Sequence, residues 1–401
     1  MNAPLTVRIA EEHVLASRAL APPPALAARR RAALAALAAQ GLPTSRDENW
    51  KYANLRPLER LRFAPAPGTA SLAAVDLPAA ISGFARYVFV DGAFAPALSA
   101  PLDATTAWVA PLAAAADASR TAAVPSPRPA SADERFALLN EAFATDGVEI
   151  RVAEPSAAGA RLELVFVARA ESEEGASYPR VELRLESGTQ LTLIERHVSA
   201  GAAASATLAE EASYRLFGIA TGALSSRSTL AVQLAGERAE LTLAVLSLGD
   251  RQQVLDVFAP VEHAAPRART EQIFRGISAG RARVAFNGKI VVAPEARGTD
   301  SRQSLRGLLA GPEAEIDVRP QLEIHTDEVR CSHGATAGKL DDNMLFYLLS
   351  RGLPPEVAQR LLKWAFLEDV VARIGVPELR RDIEKRLALQ VPELEPHTEA
   401  V

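Results

Sequence analysis

The 401-residue chain has one cysteine, Cys331, so it can form no intramolecular disulfide and no CxxC redox or structural zinc motif. Basic residues are in no excess: 44 Lys and Arg stand against 49 Asp and Glu, a net charge of −5. Without a basic surplus to neutralise a polyphosphate backbone, nucleic acid is not an expected partner. No stretch approaches the ~20 apolar residues that a bilayer span needs, so no membrane association is expected. Residues 1–20 carry Arg8, Glu11, Glu12 and Arg18 and lack the apolar run of a signal peptide. These absences predict a cytoplasmic protein. Gly288-Lys289 and Gly338-Lys339 are followed by Ile and Leu and lack the upstream glycine of a phosphate loop, so no ATP site is expected. With six histidines there are few general bases.

What is present divides into three regions. Residues 1–130 read as mostly helical with irregular segments. Ala25 to Gln40 runs without a breaker, with Leu26, Leu34 and Leu37 near one face and Gly41 where a C-terminal cap belongs. Residues 61–80 and 100–131, rich in Ala and Pro, read as loops. Between them Tyr87 to Val90 is a short strand turning at Asp91-Gly92. Asp133 to Phe143 opens the second region as a helix, with Phe136, Leu139 and Phe143 at helical spacing.

From Val148 to about Gly338, within a core placed at 131–340, the chain is a series of short alternating runs. Arg161 to Val167, Val181 to Leu185, Leu191 to Ile194, Glu240 to Val245 and Gln321 to Ile324 are examples. Period-two alternation predicts half-buried strands. No long helical pattern intervenes, which leaves a sandwich, a barrel or a β-solenoid; the length of the block favours the solenoid, although no fixed repeat is visible.

Residues 341–401 return to helix: Asp342 to Ser350 ended by Gly352, then Pro355 to Ile374, then a third opened by Pro377 with Leu379, Ile383 and Leu387. The middle helix has two apolar stripes. Val357, Leu361, Trp364, Val371 and Ile374 form one, and Leu362, Phe366 and Val370 the other. Two stripes predict either deep burial or a surface for another protein.

Chemistry concentrates at His325 to Gly334. In extended backbone His325 and Asp327 share a face, as do Cys331 and His333. Thiolate, imidazole and carboxylate are the donor types that hold iron or zinc. The bland alternative is a small buried cysteine and a histidine satisfied near the Gly334 turn.

Residues Phe286 to Val292, Ala296 to Thr299, Gln303 to Leu309, Pro320 to Ile324, Val329 to Thr336 and Leu345 to Gly352 resemble the core of the SufB/SufD family of iron–sulfur cluster assembly proteins. The Cys-Ser-His-Gly-Ala-Thr and Phe-Tyr-Leu-x-Ser-Arg-Gly elements, and the early Glu48-Asn49-Trp50-Lys51-Tyr52, are closer to its SufD than its SufB branch. The likeness is strong over 260–375, weaker over 130–260 and thin before that. SufB-like chains carry a cysteine in the strand equivalent to Arg302 to Leu305 and a glutamate after the matching histidine. Here that strand has Gln303 and Ser304, and Gly334 follows His333.

The resemblance implies a mixed, mainly β fold: a right-handed parallel β-helix between N-terminal and C-terminal helical regions. It implies a non-catalytic scaffold that pairs with a SufB-like paralogue through the β-helix and docks a SufC-like ATPase through the C-terminal helices. His333, with Cys331, would then contribute metal contacts at the partner interface, to iron or a nascent cluster shared with the partner; a flavin in the full complex is a further implication. Two other functions compete with this one. A homodimer could pool paired Cys331 and His333 as a self-associating iron protein. A β-helix carbohydrate-active enzyme would have to use Asp317, Glu323 and Asp327 as its carboxylates.

Overall fold

The computed structural model describes residues 5–20, 24–44, 47, 58, 62–65, 77–101, 107–112, 135–156, 158–168, 176–198, 203–374, 376–377 and 380–381. The expected Trp50 segment and the third C-terminal helix lie outside or almost outside these residues.

Strands alternate between two sheets as the chain winds. The first sheet holds β1 (Ala85–Val90), β5 (Ala160–Val167), β7 (Gln190–Val198), β9 (Ser213–Thr221), β11 (Glu240–Gly249), β13 (Arg269–Ser278), β15 (Thr299–Leu309) and β17 (Val329–Gly338). The short β2 (Ala93–Phe94) folds back on β1 through Asp91 and Gly92, both at positive φ, which is the turn chemistry the dipeptide predicts. The second sheet holds β4 (Gly147–Val152), β6 (Arg180–Leu185), β8 (Ala203–Leu208), β10 (Ser225–Leu234), β12 (Val254–His263), β14 (Arg283–Val292) and β16 (Glu315–Ile324). Its other end is β3 (Trp108–Pro111), antiparallel to β4. This strand lies in a stretch expected to be irregular: its Ala and Pro content hides a four-residue edge that β4 recruits.

From β4 onward each strand pairs in parallel with the one two places on, and β1 joins the first sheet beside β5, so the chain is a parallel β-solenoid of about six turns. The turns are unequal. Val254 lies beside Ser225, 29 residues on, whereas Ser213 lies beside Gln190, 23 on, and Arg180 beside Gly147, 33 on. That spread is why the sequence shows no fixed period. One corner is nonetheless shared. Gly188, Glu211, Arg238, Arg267 and Gly298 all adopt left-handed backbone. Each donates its N–H to a carbonyl of the next turn, at Glu210, Glu237, Pro266, Arg297 and Glu328.

Side chains of alternate residues fill the lumen. Leu191 and Leu193, Leu241, Leu243 and Val245, and Val284, Phe286 and Ile290 belong to one continuous core. Aromatic rings stack along the axis, Phe89 on Phe166 at 5.2 Å and Phe166 on His197 at 5.1 Å, and between the sheets, Phe274 on Phe286 at 4.5 Å.

Helices cover parts of both outer faces. α1 (Leu5–Leu20), α2 (Pro24–Gln40) and α3 (Arg135–Phe143) share a core of Ile9, Leu37, Phe136, Leu139 and Phe143. The guanidinium of Arg29 in α2 bridges Glu141 of α3 and Glu182 of β6, tying this cluster to the second sheet. Gly41, at φ +73, ends α2 as expected.

After β17 come α4 (Asp342–Ser350) and α5 (Pro355–Val371), continued by one 3-10 turn to Ile374. The side chain of Asp341 caps α4 by accepting from the N–H groups of Asn343 and Met344. α5 lies on the outer face of the first sheet, where Leu367, Val370 and Val371 pack with Phe217, Leu246, Ile273 and Ile277. Strands β9, β11 and β13 are therefore buried on both faces over most of their length, rather than half-buried as alternation alone implies. The two stripes read from α5 are redrawn as well. Its buried residues are Ala358, Lys363, Leu367, Val370 and Val371, with Trp364 and Phe366 partly covered, while Leu361 is 46% exposed.

Candidate functional site at the open end of the solenoid

β16 and β17 are the last strands of their sheets, and no described residue pairs with their outer edges. Each is ten residues long. The lumen opens between them, with Ile316, Val318, Leu322, Val329 and Cys331 only partly covered. A solenoid interior filled with apolar side chains has no reason to stop in mid-stack, because its final turn leaves that filling facing water.

Cys331 and His333 both lie on β17. Cys331 packs against the lumen core, and His333, two residues on, takes the same face but is exposed because no further turn covers it. The pairing of β15 with β17 sets Ser301 beside Cys331 and Gln303 beside His333. One turn further in, Thr270 lies beside Ser301 and Gln272 beside Gln303. A polar column thus runs inward beneath the two residues. Thr270 Oγ1 is 2.9 Å from Nε2 of His263, and Gln303 Nε2 donates to Gln272 Oε1 at 2.7 Å. Burial, and then the charge of Asp300, push the Cys331 thiol up, so the free chain holds it protonated at neutral pH. A soft metal would therefore displace a proton on binding it.

His325 does not join them. The strand ends at Ile324, and His325 Nε2 instead lies 3.0 Å from Glu323 Oε1, whose other oxygen accepts from Lys289 Nζ at 2.9 Å. Asp327 sits in the bend that follows, so the acidic pair breaks the strand as its composition suggests. Among the described residues no three His, Cys, Asp or Glu side chains converge as a metal site. Cys331 and His333 supply two donors and no closed set.

The carbohydrate-enzyme reading loses one of its carboxylate pairs. Asp317 and Glu323 are six residues apart on β16, roughly 20 Å at the rise of a strand, about twice the widest spacing of a glycosidase carboxylate pair. The chain does carry a Gly-x-Ser-x-Gly pattern, at Gly276 to Gly280, but it is no nucleophile elbow. Ser278 is fully buried at the end of β13, and its hydroxyl donates to the carbonyl of Ala282 at 2.8 Å.

Sequence reasoning noted Gln303 only as part of a strand that lacks a cysteine, and missed its partner Gln272. Their signal was present in the Phe-Asn-Gly-Lys run, since a Cβ at Gly288 would lie 2.3 Å from Gln272 Oε1 and 2.9 Å from Gln303 Nε2. Only glycine leaves room there for the two amides.

A further surface adjoins the open end. α4 buries none of its residues, and exposes Met344 at 60%, Phe346 at 72% and Tyr347 at 55%. No helix among the described residues is long and apolar enough to cross a membrane.

Comparison with known proteins agrees with this architecture. The SufBD core domain family of the SUF iron–sulfur cluster assembly system matches residues 203–366, from β8 into α5. The iron–sulfur cluster assembly protein SufD of Escherichia coli is 30% identical over 393 residues, covering 88% of this chain and 90% of that one. A SufBD family protein of Synechocystis is 27% identical over 409 residues, covering 88% of each. One from Mycobacterium leprae is 31% identical over 222 residues, 51% of this chain and 56% of its own. The likeness thus extends well before residue 130, where the sequence motifs alone are thin. With a parallel β-solenoid, flanking helices and this extent of similarity, the chain belongs to the SufB/SufD family of iron–sulfur cluster assembly proteins, on its SufD side.

Proposed function

We propose that this chain is a non-catalytic scaffold subunit of a cytoplasmic SUF assembly complex. It pairs with a SufB-like paralogue through the open end of the solenoid and docks a SufC-like ATPase through its C-terminal helices. The observation that carries this reading is the final turn, with two ten-residue edges that no described residue pairs and with Cys331 and His333 on the outermost strand. Another β-solenoid is the partner whose own edges can continue both sheets at once. Iron or a nascent cluster is cargo: two donors from this chain leave the remaining positions to the paralogue. The exposed apolar side chains of α4 are the surface offered to the ATPase. A lone, partly buried thiol suits a reducing compartment.

Co-expression with both partners tests each part. Gly334→Lys with Gly338→Lys places charges on the outer edge, at sites where a new Cβ meets nothing within 4 Å. This pair should abolish capture of the paralogue and spare that of the ATPase. Phe346→Glu should weaken capture of the ATPase at least tenfold and leave the paralogue bound. Under anaerobic isolation, His333→Ala should lower the iron travelling with the complex. Unchanged capture in both surface variants would overturn the reading, and a homodimer holding iron without either partner would replace it.

A further inference from the structure

The amide column beneath His333 has a fixed direction. Gln272 Nε2 donates to the carbonyl of Ala259 at 3.0 Å, which makes its Oε1 the acceptor. Gln303 Nε2 donates to that oxygen at 2.7 Å and to the carbonyl of Gly288 at 2.9 Å. Two backbone carbonyls, which can only accept, therefore determine which end of each amide is nitrogen. Both donor contacts of Gln303 are made on the inner side of β15. Its Oε1 is buried without a partner, in a residue only 4% exposed. A buried acceptor left unsatisfied is destabilising, so the site calls for a donor. On the remaining side of β15, in register with Gln303, stands His333.

We propose that Gln303 is a positioning residue for His333: its side-chain oxygen, which makes no hydrogen bond in this structure, accepts the N–H of one imidazole nitrogen when the exposed ring turns toward it, and so holds the ring in a single tautomer. The other nitrogen then faces outward with its lone pair free. This inference rests on the reading that His333 faces the cargo, and it deepens that reading. A histidine that binds metal needs its other nitrogen tied to an acceptor, which sets both the ring plane and the ligating atom. Gln272 and the cleft at Gly288 fix Gln303 in turn, so the orientation is set by two backbone carbonyls deep in the stack. Where a SufB-like chain would place a thiolate on this strand, this chain places an amide whose use is to aim its neighbour.

The test needs neither metal nor partner. In the metal-free full chain with ¹⁵N-labelled histidine, ring nitrogen shifts at one fixed alkaline pH report the tautomer of each imidazole. His333 should show one locked neutral tautomer. Gln303→Met, close in volume but without an amide, should return it to the exchanging mixture of a free imidazole. The other five histidines, unmoved, would report an intact fold. An exchanging mixture in the wild-type chain overturns the proposal even if the variant fails to fold, and so does a lock that survives in folded Gln303→Met. Loss of the lock would leave partner capture untouched, whereas unchanged iron in His333→Ala would refute the role in cargo binding and leave the lock standing.

Discussion

His263 is fully enclosed in the lumen beside Thr270, and burial holds its imidazole down to about 4 from an ordinary 6.5. The folded chain therefore refuses a proton that the unfolded chain accepts. Its contribution is complete above pH 6.5, declines as the pH falls, and is gone once the pH passes below the folded value near 4. Between about pH 7.5 and pH 4.5 the wild type should lose on the order of 2–3 kcal/mol through this group alone. His263→Gln, which keeps a polar group near Thr270 but cannot titrate, should lack that part of the decline. Denaturant titrations of both proteins at the two pH values measure it, and equal slopes would refute the assignment. Nothing in the sequence distinguished His263 from the other histidines. Its enclosure arises from the pairing of β12 with β10 and β14, which is a long-range fact.

At the scale of elements, an apolar seam and the Arg275–Asp369 ion pair help hold α5 to the first sheet. Arg275 of β13 has only 2% of its side chain exposed; it donates to the carbonyls of Phe274 and Ser304 and pairs with Asp369 of α5. Burial opposes the charge of Asp369, but the hydrogen bond and charge of Arg275 outweigh it and keep the carboxyl below its ordinary value. Leu367→Ala should cost about 2–5 kcal/mol, because the side chain is wholly buried. Leu361→Ala, at a half-exposed position on the same helix, should stay within about 0.5 kcal/mol. Thermal or denaturant unfolding of the two variants compares them, and faster amide exchange confined to residues 355–371 would mark local release of the helix. The apolar periodicity made α5 legible as a helix down to its Pro355 start. Which stripe faces inward was not legible, because Lys363 and Leu367 are buried by the sheet they meet and not by their own spacing.

For the whole molecule, strand content and the flanking helices could be read from alternation and breakers. The winding could not, since turns of 23 to 33 residues erase any repeat. The length of the strand block already favoured a solenoid and the family motifs added its parallel winding, while two-residue spacing alone set Cys331 and His333 on one face. His325 and Asp327 are set apart from them by the bend at Asp327 and Glu328, where two adjacent acidic residues break the strand. An unpartnered end of this kind should make the isolated chain self-associate with rising concentration. Gly334→Lys with Gly338→Lys should return it to a monomer, as sedimentation velocity over a wide concentration range would show. A wild type that stays monomeric throughout would mean that the edges protect themselves. The anchor of α5 has a mechanical consequence for that same end. Arg275 grips the backbone of Ser304, the residue immediately after Gln303 in β15. A pull on α5 through Asp369 would therefore reach β15 beside the amide under His333, coupling a helix on the outer wall to the open end of the solenoid.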